Sequence, residues 1–145
     1  MADVAKILAD NGRSVITIGA DATVYDAVKA MVEANVGAIL VAGDQPDQIR
    51  GIFTERDYLR RVAVEGRSSR KTMVTELMSS PVIYVEPSTS VEEAMALMTA
   101  RRIRHAPVVS DSKLVGMISI GDLVRMQSAE QSFKIQYLTE YISAG

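Results

Sequence analysis

Apolar and polar positions follow the same order twice along this chain of 145 residues. Each copy starts with a short apolar stretch and continues with apolar residues at the helical spacing i, i+3, i+4, i+7. Two further apolar stretches follow, separated by a polar turn, and then a second helix is expected near Arg56 or Gly121. The pattern therefore predicts two β-α-β-β-α repeats. The apolar stretches are Val15–Ile18, Ala38–Val41 and Ile49–Phe53 in the first copy and Val82–Val85, Ala106–Val109 and Leu114–Ile118 in the second, and the helical positions are Val24, Ala27, Val28 and Met31, then Val91, Ala94, Met95 and Met98.

Residue identities support the repeat. With an offset of 67, six of the 27 aligned positions of Val15–Val41 and Val82–Val108 are identical. One copy of about 50 residues is small for an independent core. We therefore expect an α/β (α+β) unit in which two tandem repeats pack sheet to sheet with pseudo-twofold symmetry, plus N- and C-terminal helices. With an offset of 65, the later part aligns Gly51 with Gly116, Thr54 with Ser119, Asp57 with Asp122 and Arg60 with Arg125.

The same patterns give the expected boundaries and helix starts. Thr23 with Asp26, and Ser90 with Glu93, have the spacing of a capping box. An aromatic and apolar stripe near the C-terminus is expected to pack either on its own domain or on a second subunit. The stripe consists of Phe133, Tyr137, Leu138 and Tyr141. The predicted parts are an N-terminal helix (1–13), the first repeat (14–65), a linker (66–80), the second repeat (81–127) and a C-terminal helix (128–145).

Composition excludes several classes of site. The absence of cysteine excludes disulfides, thiolate metal sites and thiol catalysis, and the single His105 excludes a multi-histidine metal site within one chain. The longest run without a polar residue, Val36–Gly43, is far shorter than the ~18 residues that a membrane span needs. The N-terminus shows no signal-peptide pattern. We therefore expect a cytoplasmic protein with no membrane association.

Two segments carry the strongest chemical signal, GIFTERD at 51–57 and GMISIGD at 116–122. In each, a glycine and two apolar residues lead to a hydroxyl residue and then to an aspartate in the first helical turn. An ionised aspartate there accepts two hydrogen bonds, which suits the 2′ and 3′ hydroxyls of a ribose, and free amides at a helix start suit a phosphate. The alternative is a capping box without a ligand, and the occurrence of the motif in both copies favours a binding role.

Positive charge is concentrated although the net charge is only −2, because nine of the 16 basic residues lie in two short windows. The second window lies within RRIRHAPV (101–108), where Arg104 and His105 are candidates for phosphate contacts. The first copy has Gly37 and Ala38 at the aligned positions, so an anion site built from both copies would be asymmetric. The alternative for both windows is a solvated helix face. The windows contain Arg56, Arg60, Arg61, Arg67, Arg70 and Lys71, then Arg101, Arg102 and Arg104.

These residues resemble a CBS-domain pair, also called a Bateman module. The resemblance rests on the repeated β-α-β-β-α pattern, on the run His105-Ala-Pro-Val108 at a strand start, and on the two Gly-x-x-Thr/Ser-x-x-Asp motifs. It covers residues 14–127 and is strongest with small stand-alone CBS-pair proteins. The first copy departs from the family pattern, since Leu40 stands where the second copy has Pro107. The resemblance implies a non-catalytic regulatory module that binds adenosyl ligands in two clefts between the repeats.

The resemblance also implies site residues. In one cleft Asp57 would bind ribose, Thr54 and Arg56 would lie at the phosphate side, and the adenine would contact the residues Ile83, Tyr84 and Ile103. In the other, Asp122 and Ser119 would take the same roles, Arg104 and His105 would reach phosphate, and the adenine would contact the residues Ile16, Thr17, Val36 and Gly37. Arg67 and Lys71 are candidates for a longer phosphate chain. AMP is the favoured ligand, NAD, ADP and ATP are alternatives, and no metal is required.

The expected partners are a small nucleotide, a second copy of the chain in a homodimer, and a regulated protein that the sequence does not identify. A nucleotide hydrolase is the enzymatic alternative, but there is no dense carboxylate cluster for Mg²⁺. Nucleic-acid binding is another, but the aromatic content of 5% gives little support to a stacking platform. A scaffold with empty clefts is the remaining alternative.

Overall fold

The β-α-β-β-α order expected from the repeated pattern is present in the first copy of this computed structural model, which describes residues 2–11, 15–45 and 47–131. The strands are β1 (Thr17–Ile18), β2 (Ala38–Ala42), β3 (Ile49–Thr54), β4 (His105–Ser110) and β5 (Lys113–Ser119). The helices are α1 (Val4–Asn11), α2 (Val24–Ala34), α3 (Glu55–Asp57, continued as a π-helix over Tyr58–Val64), α4 (Val74–Leu77), α5 (Val91–Arg101) and α6 (120–131).

The first repeat contains a three-stranded sheet in the order β1-β2-β3. Strand β1 runs parallel to β2, with Thr17 opposite Leu40, and β2 runs antiparallel to β3, with Ala38 opposite Thr54. The opposite edge of β3 carries a further bridge from Ile52 to Ser79, a residue of the segment expected as a linker. This sheet places Thr54, at the end of β3, beside Ala38, at the start of β2, so that these two strand ends lie at the same edge of the candidate site.

The second repeat differs from this plan at its first strand. The strand expected at Val82–Val85 is wrong, because only Val85 forms a bridge, to Val108 of β4. In the first repeat the amide of Leu40 donates to the Ile16 carbonyl at 3.2 Å. Pro107 occupies the aligned position in β4 and has no amide hydrogen, so the equivalent bond cannot form.

The chain divides into two compact units that do not coincide with the repeat boundaries. Among the described residues, the first-repeat unit contains 15–83 and 111–114, and the second-repeat unit contains 2–11, 84–110 and 115–131. Each unit has its own buried core. The first core consists of Val24, Ala27, Met31, Ile39, Val41, Phe53, Val62, Val74 and Leu77. The second consists of Ala2, Val4, Ile7, Val85, Val91, Ala94, Met98, Ala106, Val108, Ile118 and Leu123.

Segments outside the repeats complete both cores. Val74 and Leu77 of α4, within the segment expected as a linker, are buried in the first-repeat unit. Val4 and Ile7 of α1 are buried in the second-repeat unit, and the Val4 amide donates to the Thr89 carbonyl at 2.9 Å. The first repeat thus packs against α4, which precedes the second repeat in the sequence. The second repeat packs against α1, which precedes the first repeat.

Helix starts follow the predicted capping residues. The Thr23 hydroxyl accepts from the Asp26 amide at 3.1 Å, and the Asp26 carboxylate accepts from the Thr23 amide at 3.1 Å, so the predicted capping box of α2 is confirmed. At α5 only one bond of the predicted box is present: the Ser90 hydroxyl accepts from the Glu93 amide at 3.0 Å, and the structure gives no return bond from the Ser90 amide to the Glu93 carboxylate. Helix α6 continues without a break across 127–128, and the predicted stripe at 133–141 lies outside the described residues.

Candidate functional site

The first candidate corner is the junction of β3 and α3. Thr54 is the last residue of β3 and caps the helix in an extended conformation. Its hydroxyl accepts from the Asp57 amide at 3.2 Å, and Oδ2 of Asp57 accepts from the Thr54 amide at 2.9 Å and from its hydroxyl at 3.0 Å. The carboxylate is therefore held at the amide end of the helix, where the backbone dipole favours negative charge. The bonds of this corner are thus local, because they join Thr54 at the end of an apolar strand to Asp57 three residues later.

The second candidate corner, at the junction of β5 and α6, has the same backbone arrangement. Oδ2 of Asp122 accepts from the Ser119 amide at 2.9 Å, and the Ser119 hydroxyl accepts from the Asp122 amide at 3.1 Å. Oδ1 of Asp122 accepts from Nη2 of Arg125, three residues further along the helix. The capping alternative and the binding interpretation thus share the same geometry, and the capping bonds alone do not distinguish them.

The two corners differ in exposure and charge. Asp122 is only 3% exposed, whereas Asp57 is half-buried. Arg60 aligns with Arg125, but among the described residues no ion pair joins it to Asp57. Oδ1 of Asp57 likewise receives no hydrogen bond from the described part of the chain. The first carboxylate therefore has more capacity to accept hydrogen bonds from a ligand than the second.

The main chain at the start of β2 lies beside the first corner. The Glu55 amide donates to the Gly37 carbonyl at 3.0 Å, and Ala38 is opposite Thr54 in the sheet. The structure thus brings Val36 and Gly37 together with Thr54 and Asp57 within one unit. Sequence analysis expected Val36 and Gly37 to serve the ligand of the other aspartate, and that assignment stays a prediction.

The equivalent contact occurs in the second-repeat unit. The Ile120 amide donates to the Arg104 carbonyl at 2.8 Å, which places the Arg104–His105 segment beside the Ser119 corner. The Arg104 side chain is exposed, and His105 is half-buried with its Nδ1 atom in the interior. The main chain of this cationic segment therefore lies beside the corner that holds the buried Asp122 carboxylate.

The predicted site residues divide between the two units. The first-repeat unit contains Ile16, Thr17, Val36, Gly37, Thr54, Arg56, Asp57 and Ile83, and the second-repeat unit contains Tyr84, Ile103, Arg104, His105, Ser119 and Asp122. The Tyr84 side chain is 56% exposed, and Arg56 is also exposed. Both are available to a ligand or a partner.

A groove of about 410 Å³ lies beside the first corner, between α2 and α3. Its wall is largely apolar and includes Val28, Val32, Tyr58 and Leu59, and it reaches Val36, one of the predicted site residues. Val32 is 73% exposed and Leu59 is 59% exposed. Such a surface is suited to contact with another apolar surface rather than with water.

Three side chains of the first basic window are engaged within their own unit. Arg61 pairs with Glu65 at 3.4 Å, and Arg67 pairs with Glu76 at 3.2 Å. The guanidinium of Arg70 lies 3.9 Å from the centre of the Tyr25 ring. These contacts reduce the positive charge that this window offers to an anionic polymer.

Sequence analysis did not predict the ion pair between Arg125 and Asp122. The alignment pairs Arg125 with Arg60, but neither residue received a function. The signal was present in the sequence, because Asp and Arg three residues apart on a helix lie on the same face. The burial that makes this pair different from Asp57 and Arg60 depends on tertiary packing.

Residues 2–11, 15–45 and 47–131 contain neither a cluster of metal-ligating side chains nor a helix that could span a membrane. No group of three or more His, Cys, Asp or Glu side chains in this part of the chain could hold a metal ion. No helix in the same residues has the length and apolar character needed to cross a membrane.

Comparisons with known proteins agree with this architecture. A family model described as the CBS domain matches residues 2–64 and 74–129. The mitochondrial CBS domain-containing protein CBSX3 of Arabidopsis thaliana is 49% identical over 128 residues, which are 86% of this chain and 62% of that relative. This chain thus spans less than two thirds of that relative's length.

Solved structures are also similar. A protein with CBS domains from Burkholderia ambifaria is 50% identical with a TM-score of 0.81, and the match covers 90% of this chain and 96% of that one. The hexameric CBS-CP12 protein from bloom-forming cyanobacteria is 34% identical with a TM-score of 0.77, and the match covers 86% of this chain and 70% of that one.

Proposed function

This chain belongs to the CBS-domain family, and we propose that it is a non-catalytic regulatory module that binds an adenine nucleotide at its two corners and modulates a partner protein. The observation that carries the proposal is the pair of ordered carboxylates, Asp57 and Asp122, at equivalent strand-to-helix junctions. A carboxylate fixed in this way is prepared to accept hydrogen bonds from the adjacent hydroxyls of a ribose. We expect a ligand to reach the carboxylate of the first corner more easily, because Asp57 is more exposed than Asp122.

The ligand we favour is AMP. Arg56 and Arg104 are exposed cations beside the first and second corner, and they attract a phosphate while they repel the cationic sulfonium of S-adenosylmethionine. ADP, ATP and NAD share the adenosine and the phosphate and stay in the candidate class. The two repeats are unequal in charge, so we expect unequal occupancy.

The regulatory role has support from the relatives. CBS domains are generally regulatory modules, and the Burkholderia ambifaria protein is named as a candidate signal-transduction protein. We propose that this chain forms a homodimer, and the exposed Val32, Leu59 and Val64 on helices α2 and α3 support a contact between copies. The cytoplasmic location stays a prediction, and the Arabidopsis relative is named as mitochondrial.

The binding test uses calorimetric titration with AMP, ADP, ATP, NAD, NADH and S-adenosylmethionine, together with thermal melts. At about 100 times its dissociation constant, the true ligand should stabilise the native state by about 2.7 kcal/mol, which is roughly 6–12 °C in Tm. No stabilisation and no heat of binding with any of the six compounds would contradict the proposal. A scaffold role, or nucleic-acid binding with steep salt dependence, would then be the better interpretation.

Substitution of each aspartate tests which corner binds the ligand. Asp57→Ala and Asp122→Ala are each expected to weaken binding by at least about tenfold at their own corner. Asp26→Ala is the matched control, because Asp26 also caps a helix through the same two backbone bonds but belongs to no predicted site. If Asp26→Ala weakens AMP binding as much as Asp57→Ala does, the effect comes from helix capping and the site assignment is wrong.

A further inference from the structure

We propose that Arg125 makes the second corner selective for adenosyl ligands that carry a phosphate, and that it excludes the uncharged nucleoside. The inference rests on the proposed function and deepens it, since it assigns a specificity-determining residue to one of the two sites.

The Asp122 carboxylate is occupied on both oxygens. Oδ2 accepts from the Ser119 amide at 2.9 Å, and Oδ1 accepts from Nη2 of Arg125. The Asp122 side chain is 2% exposed, whereas the Arg125 side chain is 62% exposed. The arginine therefore reaches back from the solvated side of α6 to a protected carboxylate, and its solvated stem leaves it room to move.

The first corner has no such contact. Oδ2 of Asp57 takes both bonds from Thr54, and among the described residues neither Arg60 nor another cation is paired with this carboxylate. Asp57 is also half-buried rather than buried. A ribose can therefore approach Asp57 without displacing a side chain.

Ribose binding at Asp122 competes with the guanidinium. A hydrogen bond between two charged groups is stronger than one from a neutral hydroxyl to the same carboxylate. Adenosine offers the displaced guanidinium no new anion, so it replaces a strong bond by a weaker one. A 5′-phosphate offers an anion that guanidinium recognises well, so AMP compensates for the broken pair. The second corner should consequently discriminate between AMP and adenosine.

The test isolates the second corner by using Asp57→Ala in every protein. Calorimetric titration with AMP and with adenosine gives the ratio of the two affinities. With Arg125 present, we expect AMP to bind at least about tenfold more tightly than adenosine. With Arg125→Gln or Arg125→Ala, we expect adenosine to bind more tightly and AMP more weakly, so that the ratio falls to about threefold or less.

Arg125→Gln keeps a side-chain donor near Asp122 while it removes the charge. It therefore decides the test if Arg125→Ala, which removes this ion pair from a buried carboxylate, fails to fold. The matched control is Arg60→Ala in an Asp122→Ala protein, which keeps only the first corner. Because Arg60 is exposed and makes no ion pair with Asp57 in the described residues, the ratio there should change by less than about twofold.

The outcomes separate the two proposals. If the Asp57→Ala protein binds both ligands with a ratio that Arg125→Gln leaves unchanged, the role of Arg125 is refuted while nucleotide binding stands. If the Asp57→Ala protein binds neither ligand but the Asp122→Ala protein binds AMP, the second corner is not a site and the role of Arg125 is likewise refuted. If the unmodified protein binds neither ligand, the proposed function itself fails.

Discussion

Three aspartates in this chain perform the same backbone task with different consequences. Asp26, Asp57 and Asp122 each accept from the amide of a hydroxyl residue three positions earlier. Asp26 is exposed, Asp57 is half-buried and Asp122 is buried against Arg125. Because the backbone bonds are the same, the three carboxylates differ in burial and in neighbouring charge rather than in helix capping.

At the residue scale, Asp26 predicts a pH effect on stability. The pKa of Asp26 lies below its ordinary value of 3.8, chiefly because the Thr23 amide donates to the carboxylate and also because of the Thr23 hydroxyl. A lowered folded-state pKa means that the stabilisation is fully present above the unfolded pKa and is lost as the pH falls through the folded pKa. We expect the stability difference between the wild type and Asp26→Asn to be larger at pH 7 than near pH 2.

Urea unfolding at both pH values measures this difference, and Glu33→Gln, an exposed acid further along α2, is the control. A difference that grows as the pH falls would contradict the expected sign.

The motif glycines have a packing role at the same scale. A side chain at Gly51 would collide with Met78, and its β-carbon would lie 3.1 Å from the Ser79 carbonyl, so glycine lets the 78–79 segment pair with β3. A β-carbon at Gly116 would lie 2.5 Å from the Leu8 side chain of α1. The first residue of each Gly-x-x-Thr/Ser-x-x-Asp motif is thus explained by core packing without a ligand.

At the element scale, the helix starts were predictable because their bonds are local. The Thr23 box joins residues three positions apart and forms wherever a helix begins at that position. The Ser90 hydroxyl bond is equally local. The missing first strand of the second repeat could not be read from its apolar residues, because the decisive group is the absent amide of Pro107, which is more than 20 residues further along the chain.

Removal of the Thr23 hydroxyl should weaken α2. We expect Thr23→Ala to lower the free energy of unfolding by about 1 kcal/mol, because the Asp26 amide loses its acceptor at the helix start. Chemical denaturation measures the change. Thr99→Ala, an exposed position inside α5, is the comparison and should change stability by less than about 0.5 kcal/mol. Equal effects at both positions would argue against a capping contribution.

At the scale of the whole molecule, sequence segments outside the two repeats are part of the packed cores. Ile7 of α1 is 1% exposed in the core of the second-repeat unit, although it precedes the first repeat in the sequence. We expect Ile7→Ala to lower the free energy of unfolding by about 3 kcal/mol, because it leaves a cavity in a packed core. Lys6→Ala, at an exposed neighbouring position, should have little effect. A similar small effect for Ile7→Ala would mean that α1 is not part of the cooperative core.

The proposed homodimer is tested at this scale as well. Leu59→Glu places a charge on the apolar groove between α2 and α3 and should shift sedimentation toward the monomer. Lys113→Glu also introduces a glutamate, at an exposed position at the start of β5 outside the groove, and should leave the sedimentation coefficient unchanged. A wild-type protein that sediments as a monomer with and without AMP would refute the homodimer.

The sequence by itself determined the β-α-β-β-α order of the first copy, the α-β-β-α order of the second copy, the capped helix starts and the two aspartate corners. These features depend on the local spacing of apolar, hydroxyl and acidic residues. Only the tertiary structure decided which segments share a core. It also decided that Pro107 prevents the first strand of the second repeat, and that Arg125 covers one aspartate while Arg60 leaves the other open. The shared cores and the missing strand arise from contacts between residues that are distant in the sequence. The difference between the two aspartates arises from burial, because Asp122 and Arg125 are only three residues apart.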